Sequence, residues 1–83
     1  MSIRLHPHAQ SRLIERGATE AEVIATVESG TTFPAQLGRM GFRRNFPFNA
    51  EWQGKIYATK KVEAIATKVA EDWLVITIIV KYF

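Results

Sequence analysis

The sequence predicts an α+β domain in which two N-terminal helices pack on a strongly twisted antiparallel β-sheet, and three observations carry that reading. Helix start and stop residues are concentrated before position 31, and the closing run, residues 73–83, is dominated by β-branched side chains. The third is size: 83 residues with no cysteine leave room for one core that no disulfide can staple. So small a core has to come from laying helices on one face of a sheet.

Pro7 lacks the N–H that a first helical turn leaves unpaired, and Gly17 can take the left-handed conformation that ends a helix, so a first helix is expected over Pro7–Arg16. Thr19 and Glu22 stand at capping-box spacing and Gly30 supplies a stop, which places a second helix over Glu20–Ser29. Val23, Ile24 and Val27 form its apolar stripe, while Glu20, Glu22 and Glu28 fall mostly outside it, toward water. On the first helix, Ala9, Leu13 and Ile14 are expected to turn toward the core.

The glycines, prolines and aromatics of residues 31–49 cannot sustain a helix; Thr31-Thr32-Phe33 and Gly41-Phe42-Arg43-Arg44-Asn45-Phe46 read as short strands. Beyond Gly54, Ile56, Ala58, Val62, Ala64 and Ala66 share one parity. The alanines alone would allow a helix over residues 62–69, but the polar pair Glu71-Asp72 between two apolar runs favours two hairpin strands. In the last strand Leu74, Ile76, Ile78 and Val80 alternate with Val75, Thr77, Ile79 and Lys81. Both sets are at least partly apolar, so this strand is expected inside the sheet, with helices on one face and a functional groove on the other. Its apolar character also leaves open pairing with a second copy, hence a homodimer.

The formal net charge is +3, and its distribution is uneven. Residues 38–61 carry Arg39, Arg43, Arg44, Lys55, Lys60 and Lys61 against Glu51 alone, whereas residues 19–30 carry only Glu20, Glu22 and Glu28. The longest apolar run, residues 74–80, is far short of the roughly 20 residues a membrane helix needs. The first seven residues lack the apolar stretch of a signal peptide. A cytoplasmic protein with no membrane partner is therefore expected. His6 and His8 flank Pro7 without a cysteine or a third histidine, and no Gly-rich phosphate loop, Ser-centred elbow or paired-carboxylate motif is present, so no metal and no cofactor is expected.

His8, Arg12 and Arg16 recur at helical spacing and form a ladder on one face of the first helix. An imidazole beside guanidiniums is what metal-free cleavage of RNA by 2′-OH attack asks for: a group that moves protons near neutral pH, and fixed positive charge for the phosphorane. In that reading His8 is general acid or base, Arg12 and Arg43 stabilise the transition state, and Tyr82 or Lys81 places the substrate. Arg16, Arg44, Lys60, Lys61 and Lys81 complete a basic groove for the RNA backbone, with Tyr57, Tyr82, Phe46 and Phe48 available to stack on bases. The same residues admit a structural reading. Arg12 and Arg16 can pair with Glu15, Glu20 or Glu22, His8 can be a solvated first-turn residue, and the aromatics can belong to the core.

The segments His8-x3-Arg12-x3-Arg16-Gly17, Thr19-Glu20-Ala21-Glu22-Val23-Ile24, Gly30 and Leu74-Val75-Ile76-Thr77 resemble the bacterial domain-of-unknown-function family 4258, over nearly the whole chain. That family is similar in architecture to the RelE and ParE toxins and, more widely, to the barnase, EndoU and RelE ribonuclease fold. The resemblance implies a RelE/ParE-like domain spanning the chain, with His8, Arg12 and Arg16 on the first helix and Thr77 on the last strand facing one cleft. It implies a toxin-type endoribonuclease with RNA as substrate and an acidic antitoxin protein as partner. Residues 33–52 match no motif of the family, so Arg43 and Arg44 enter on charge alone. The alternative on the same fold is a non-catalytic module that binds nucleic acid or protein.

Overall fold

A computed structural model describes residues 2–83, and both helices begin and end where their capping residues put them. In α1 (Pro7–Arg16) the N-cap is His6, whose Nδ1 accepts the His8 backbone N–H at 3.1 Å, and Gly17 ends the helix at φ 74°. A side chain at position 17 would also collide with Trp52 and Tyr82, so glycine is required for both conformation and space. α2 (Glu20–Ser29) opens on a complete capping box: Thr19 Oγ1 accepts from the Glu22 N–H at 3.1 Å and Glu22 Oε1 accepts from the Thr19 N–H at 2.9 Å. Gly30 stops α2 in an extended conformation, and crowding is what excludes other residues there, because a Cβ would run into the carbonyl oxygens of Thr26 and Arg43. Both obstacles are backbone. Gly30→Ala is therefore expected to cost about 1–3 kcal/mol, read as a lower urea midpoint at unchanged m-value.

Five strands, β1 (Ile3–Leu5), β2 (Thr31–Pro34), β3 (Met40–Trp52), β4 (Lys55–Val69) and β5 (Asp72–Tyr82), form one sheet in the order β1-β5-β4-β3-β2. Three pairings are antiparallel, but β1 joins β5 in parallel, so the sheet is mixed rather than wholly antiparallel. Three residues carry no readable period, and β1 is held from far along the chain. The Asp72 carboxylate accepts the Ser2 backbone N–H at 2.9 Å and lies 3.8 Å from the Arg4 guanidinium. That hydrogen bond, helped by Arg4, keeps the Asp72 carboxyl below its ordinary range.

β5 is an interior strand, as its apolar character predicts. Its outer edge is occupied by β1 at Trp73, Leu74 and Val75, and further on the Arg16 guanidinium donates to the Ile78 carbonyl at 3.3 Å. A second copy therefore has no continuous free edge along β5. Gln53 and Gly54, at φ 51° and 83°, turn β3 into β4. Ala70 and Glu71 turn β4 into β5, one residue earlier than the Glu71-Asp72 pair suggests, because Asp72 already pairs with Val69.

The helices cover one face only, α1 over β5 and β1 and α2 over β4 and β3. Ala9, Val23 and Val27 close on Phe42, Val62, Ala64, Ala66, Val75 and Ile78. Simple alternation on β5 fails at one point: pairing passes from Ile65–Thr77 to Ala66–Val75 and leaves Ile76 in a bulge. Val75 thereby joins Ile78 and Val80 under the helices, and Leu74 moves to the open face with Thr77, Ile79 and Lys81. Ile14 is 89% exposed, contrary to expectation. Ala9, Leu13 and Arg16 take the inward face of α1, and Ile14 lies about 100° further round than Leu13.

Candidate nucleic-acid interface

The β2–β3 ladder reaches only as far along β3 as Arg43, which pairs with Thr31, so from Arg44 onward that edge of β3 is uncovered. Here the surface opens into a groove of about 320 Å³, lined by Ser29, Gly30, Thr31, Arg43, Arg44, Asn45 and Lys61. Arg43, Asn45 and Lys61 belong to the face away from the helices. Arg44 lies beside Val62 on the helix side, where its Nη1 donates to Ser29 Oγ at 2.9 Å. Three cations thus reach one concavity from both sides of an edge strand.

Aromatic rings prop two of these cations in place. The Arg43 guanidinium stands 5.1 Å from the centre of Phe33 and that of Arg44 stands 5.0 Å from Phe46. No carboxylate lines the groove; Glu63, 3.6 Å from Lys61 Nζ, is the acid that touches one of its cations. Guanidiniums are fixed cations that match phosphate oxygens in pairs, and the Thr31 hydroxyl adds a neutral donor, whereas the Ser29 hydroxyl already donates to the Ala25 carbonyl at 2.9 Å. The groove can therefore hold a phosphate or a similar oxyanion. Neither a histidine nor a carboxylate lines it, so it supplies no proton shuttle of its own.

The helical ladder stands apart from this groove. α1 lies over β5 and β1 whereas the groove is at the β3 edge, about two strand spacings of roughly 5 Å away. His8 is exposed in the first turn of α1, and among the described residues no hydrogen bond engages its ring. Arg12 is paired with Glu15 at 2.9 Å and Arg16 is spent on the Ile78 carbonyl. The expected cleft joining His8 and Arg12 to Arg43 is not formed. Thr77, expected to face the same cleft as His8, pairs with Ile65 on the face opposite the helices.

Lys60 and Lys61 part company as well. Lys61 lines the groove, but Lys60 is 6% exposed beneath the helices, donating to the Gly17 carbonyl at 2.8 Å and to Glu22 Oε1 at 3.0 Å. Its Nζ also lies 5.2 Å from the Phe48 ring centre. Glu22, expected in water, is thus both a helix cap and the partner of a buried lysine. Tyr82 closes the same cluster: its hydroxyl donates to the Arg16 carbonyl at 2.7 Å, and its ring stacks on Trp52 at 5.0 Å and meets Phe48 and Tyr57 at 5.1 and 5.6 Å. Burial, with Glu22 nearby, raises the phenol above its ordinary pKa. A hydroxyl so engaged is a structural group. Phe46, Phe48 and Tyr57 are likewise occupied by Arg44, Tyr82 or Lys55 rather than displayed as base platforms.

Sequence reasoning named Arg43, Arg44 and Lys61 but missed Ser29, Thr31 and Asn45, for which the only available signal was proximity to a helix end and to an arginine pair. Among the described residues no group of three metal-ligating side chains forms, and no helix is long and apolar enough to cross a membrane. Comparison with protein-family models, with curated proteins and with solved structures finds no match to this chain, so the groove's own geometry carries the functional reading.

Proposed function

We propose that this domain is a nucleic-acid-binding module that grips the phosphate backbone of RNA in the groove at the β3 edge. The observation that carries the proposal is the convergence of Arg43, Arg44 and Lys61, with the Thr31 hydroxyl and no lining carboxylate, on one concavity. Phosphate contacts of this kind give affinity without sequence preference and make it fall with salt. An acidic protein partner, as in a toxin and antitoxin pair, would compete for the same cations.

A second reading, a metal-independent ribonuclease of the RelE/ParE toxin type acting by 2′-OH attack, is favoured by the exposed, unengaged imidazole of His8. It requires RNA bound at the groove to reach across the sheet margin to α1. Incubating the purified chain with single-stranded RNA in EDTA separates the two readings. The expected result is RNA that is bound at low salt, released at high salt and left intact. Cleavage by the wild type that disappears in His8→Ala would establish the ribonuclease instead, and absence of binding at low salt would contradict both.

A further inference from the structure

On the face of the sheet that no helix covers, Lys61 on β4 stands directly opposite Lys81 on β5. Side chains so placed have Cβ atoms about 5 Å apart, and like charges in that position repel. Glu63 lies 3.6 Å from Lys61, and among the described residues Lys81 has no ion-pair partner. The next position along β5 carries a different chemistry. Phe83 exchanges both backbone hydrogen bonds with Thr59, at 2.8 and 3.0 Å, so it extends the ladder by one step past Tyr82. Strand alternation then places its ring on the side of Lys61 and Lys81, away from Tyr82. Phe83 is 58% exposed, and among the described residues its ring pairs with no other aromatic.

An uncovered aromatic about 7 Å along the strand from a facing pair of lysines offers a π-surface and positive charge at the spacing of one residue pair. An apolar protein partner would bury those lysines unpaired, and a duplex would present phosphates but keep its bases stacked inside. An unpaired nucleotide satisfies both groups at once. We propose that this open face binds single-stranded nucleic acid, with a base stacked on Phe83 and the adjoining phosphates on Lys81 and Lys61, from where the strand continues to Arg43 and Arg44. This path rests on the groove reading above, which supplies its far end.

The test measures binding of a short oligouridylate, a blunt RNA duplex of the same length and inorganic polyphosphate, which has charge but no base. Phe83→Ala is expected to lose about 5- to 100-fold in affinity for the oligouridylate, the usual effect of one base stack, with polyphosphate binding unchanged. Phe83→Trp is expected to retain both, and the duplex to bind the wild type more weakly than the single strand. Equal oligouridylate binding by Phe83→Ala and wild type, or equal binding of duplex and single strand, overturns this inference while leaving the groove reading intact. If the double variant Arg43→Ala/Arg44→Ala binds polyphosphate and oligouridylate as the wild type does, the groove reading falls and this one with it.

Discussion

Lys60→Ala is expected to destabilise the fold by about 2–4 kcal/mol, one of the largest effects of any single substitution in this chain. The lysine side chain is 8% exposed and that of its partner Glu22 is 22% exposed, so the pair is shielded from water on one side more than the other. Removing the ammonium leaves the Glu22 carboxylate without its counter-charge and the Gly17 carbonyl without its donor, at the junction where α1 hands over to α2. The partial exposure of Glu22 keeps the cost below that of a fully enclosed pair. A cycle with Glu22→Gln makes the assignment specific. Glutamine still serves the capping box, so Glu22→Gln mainly strips the charge from the pair. The double variant Lys60→Ala/Glu22→Gln should therefore lose clearly less than the two single losses added together. Additive losses from urea midpoints would mean that the two groups do not act as a pair.

Lys60 also shows what a sequence does and does not disclose. It shares parity with Ile56, Ala58, Val62, Ala64 and Ala66, a stripe readable from the sequence and, from Lys60 to Ala66, buried in the fold. Strand alternation alone sends Lys60 under the helices and Lys61 to the open face, so counting both as one basic patch overlooks a signal already present. The helices were legible to the residue because their caps are local chemistry: the Thr19–Glu22 box and the left-handed Gly17 need no tertiary contact to be recognised. The α+β class followed from them and from the β-branched closing run.

Non-local features were beyond reach. β1 exists because Asp72 and the β5 edge hold three residues some seventy positions away. The Ile76 bulge reverses the faces of Val75 and Leu74, and nothing in the alternating run marks where the register slips. Strand order matters most for the site. His8 and Arg43 can share a cleft only if α1 lies near β3, and the order β1-β5-β4-β3-β2 places α1 toward the opposite margin. Charge and spacing only nominate cations; topology decides which of them meet.

Removing both groove arginines, in Arg43→Ala/Arg44→Ala, is expected to weaken RNA binding by about 100-fold or more at moderate ionic strength, since each charge-assisted phosphate contact contributes on the order of 1.5–3 kcal/mol. Neither guanidinium holds the core: Arg44 donates to the exposed Ser29 hydroxyl and lies over Phe46, and Arg43 lies over Phe33 on the open side of the sheet. The variant should fold with near wild-type stability, so loss of affinity reports the groove itself. Lys68→Ala provides the comparison, because Lys68 is exposed, stands over Trp73 at 4.7 Å and lies outside the groove. Its loss should change affinity little.

The most direct measurement is the slope of log affinity against log salt concentration for a single-stranded RNA. Each phosphate neutralised on a single strand contributes about 0.7 to that slope. If Arg43 and Arg44 each hold a phosphate, the double variant's slope should be shallower than the wild type's by about 1.4, with Lys68→Ala unchanged. A wild-type slope near zero, or equal slopes for wild type and the Arg43/Arg44 variant, would contradict phosphate binding in this groove.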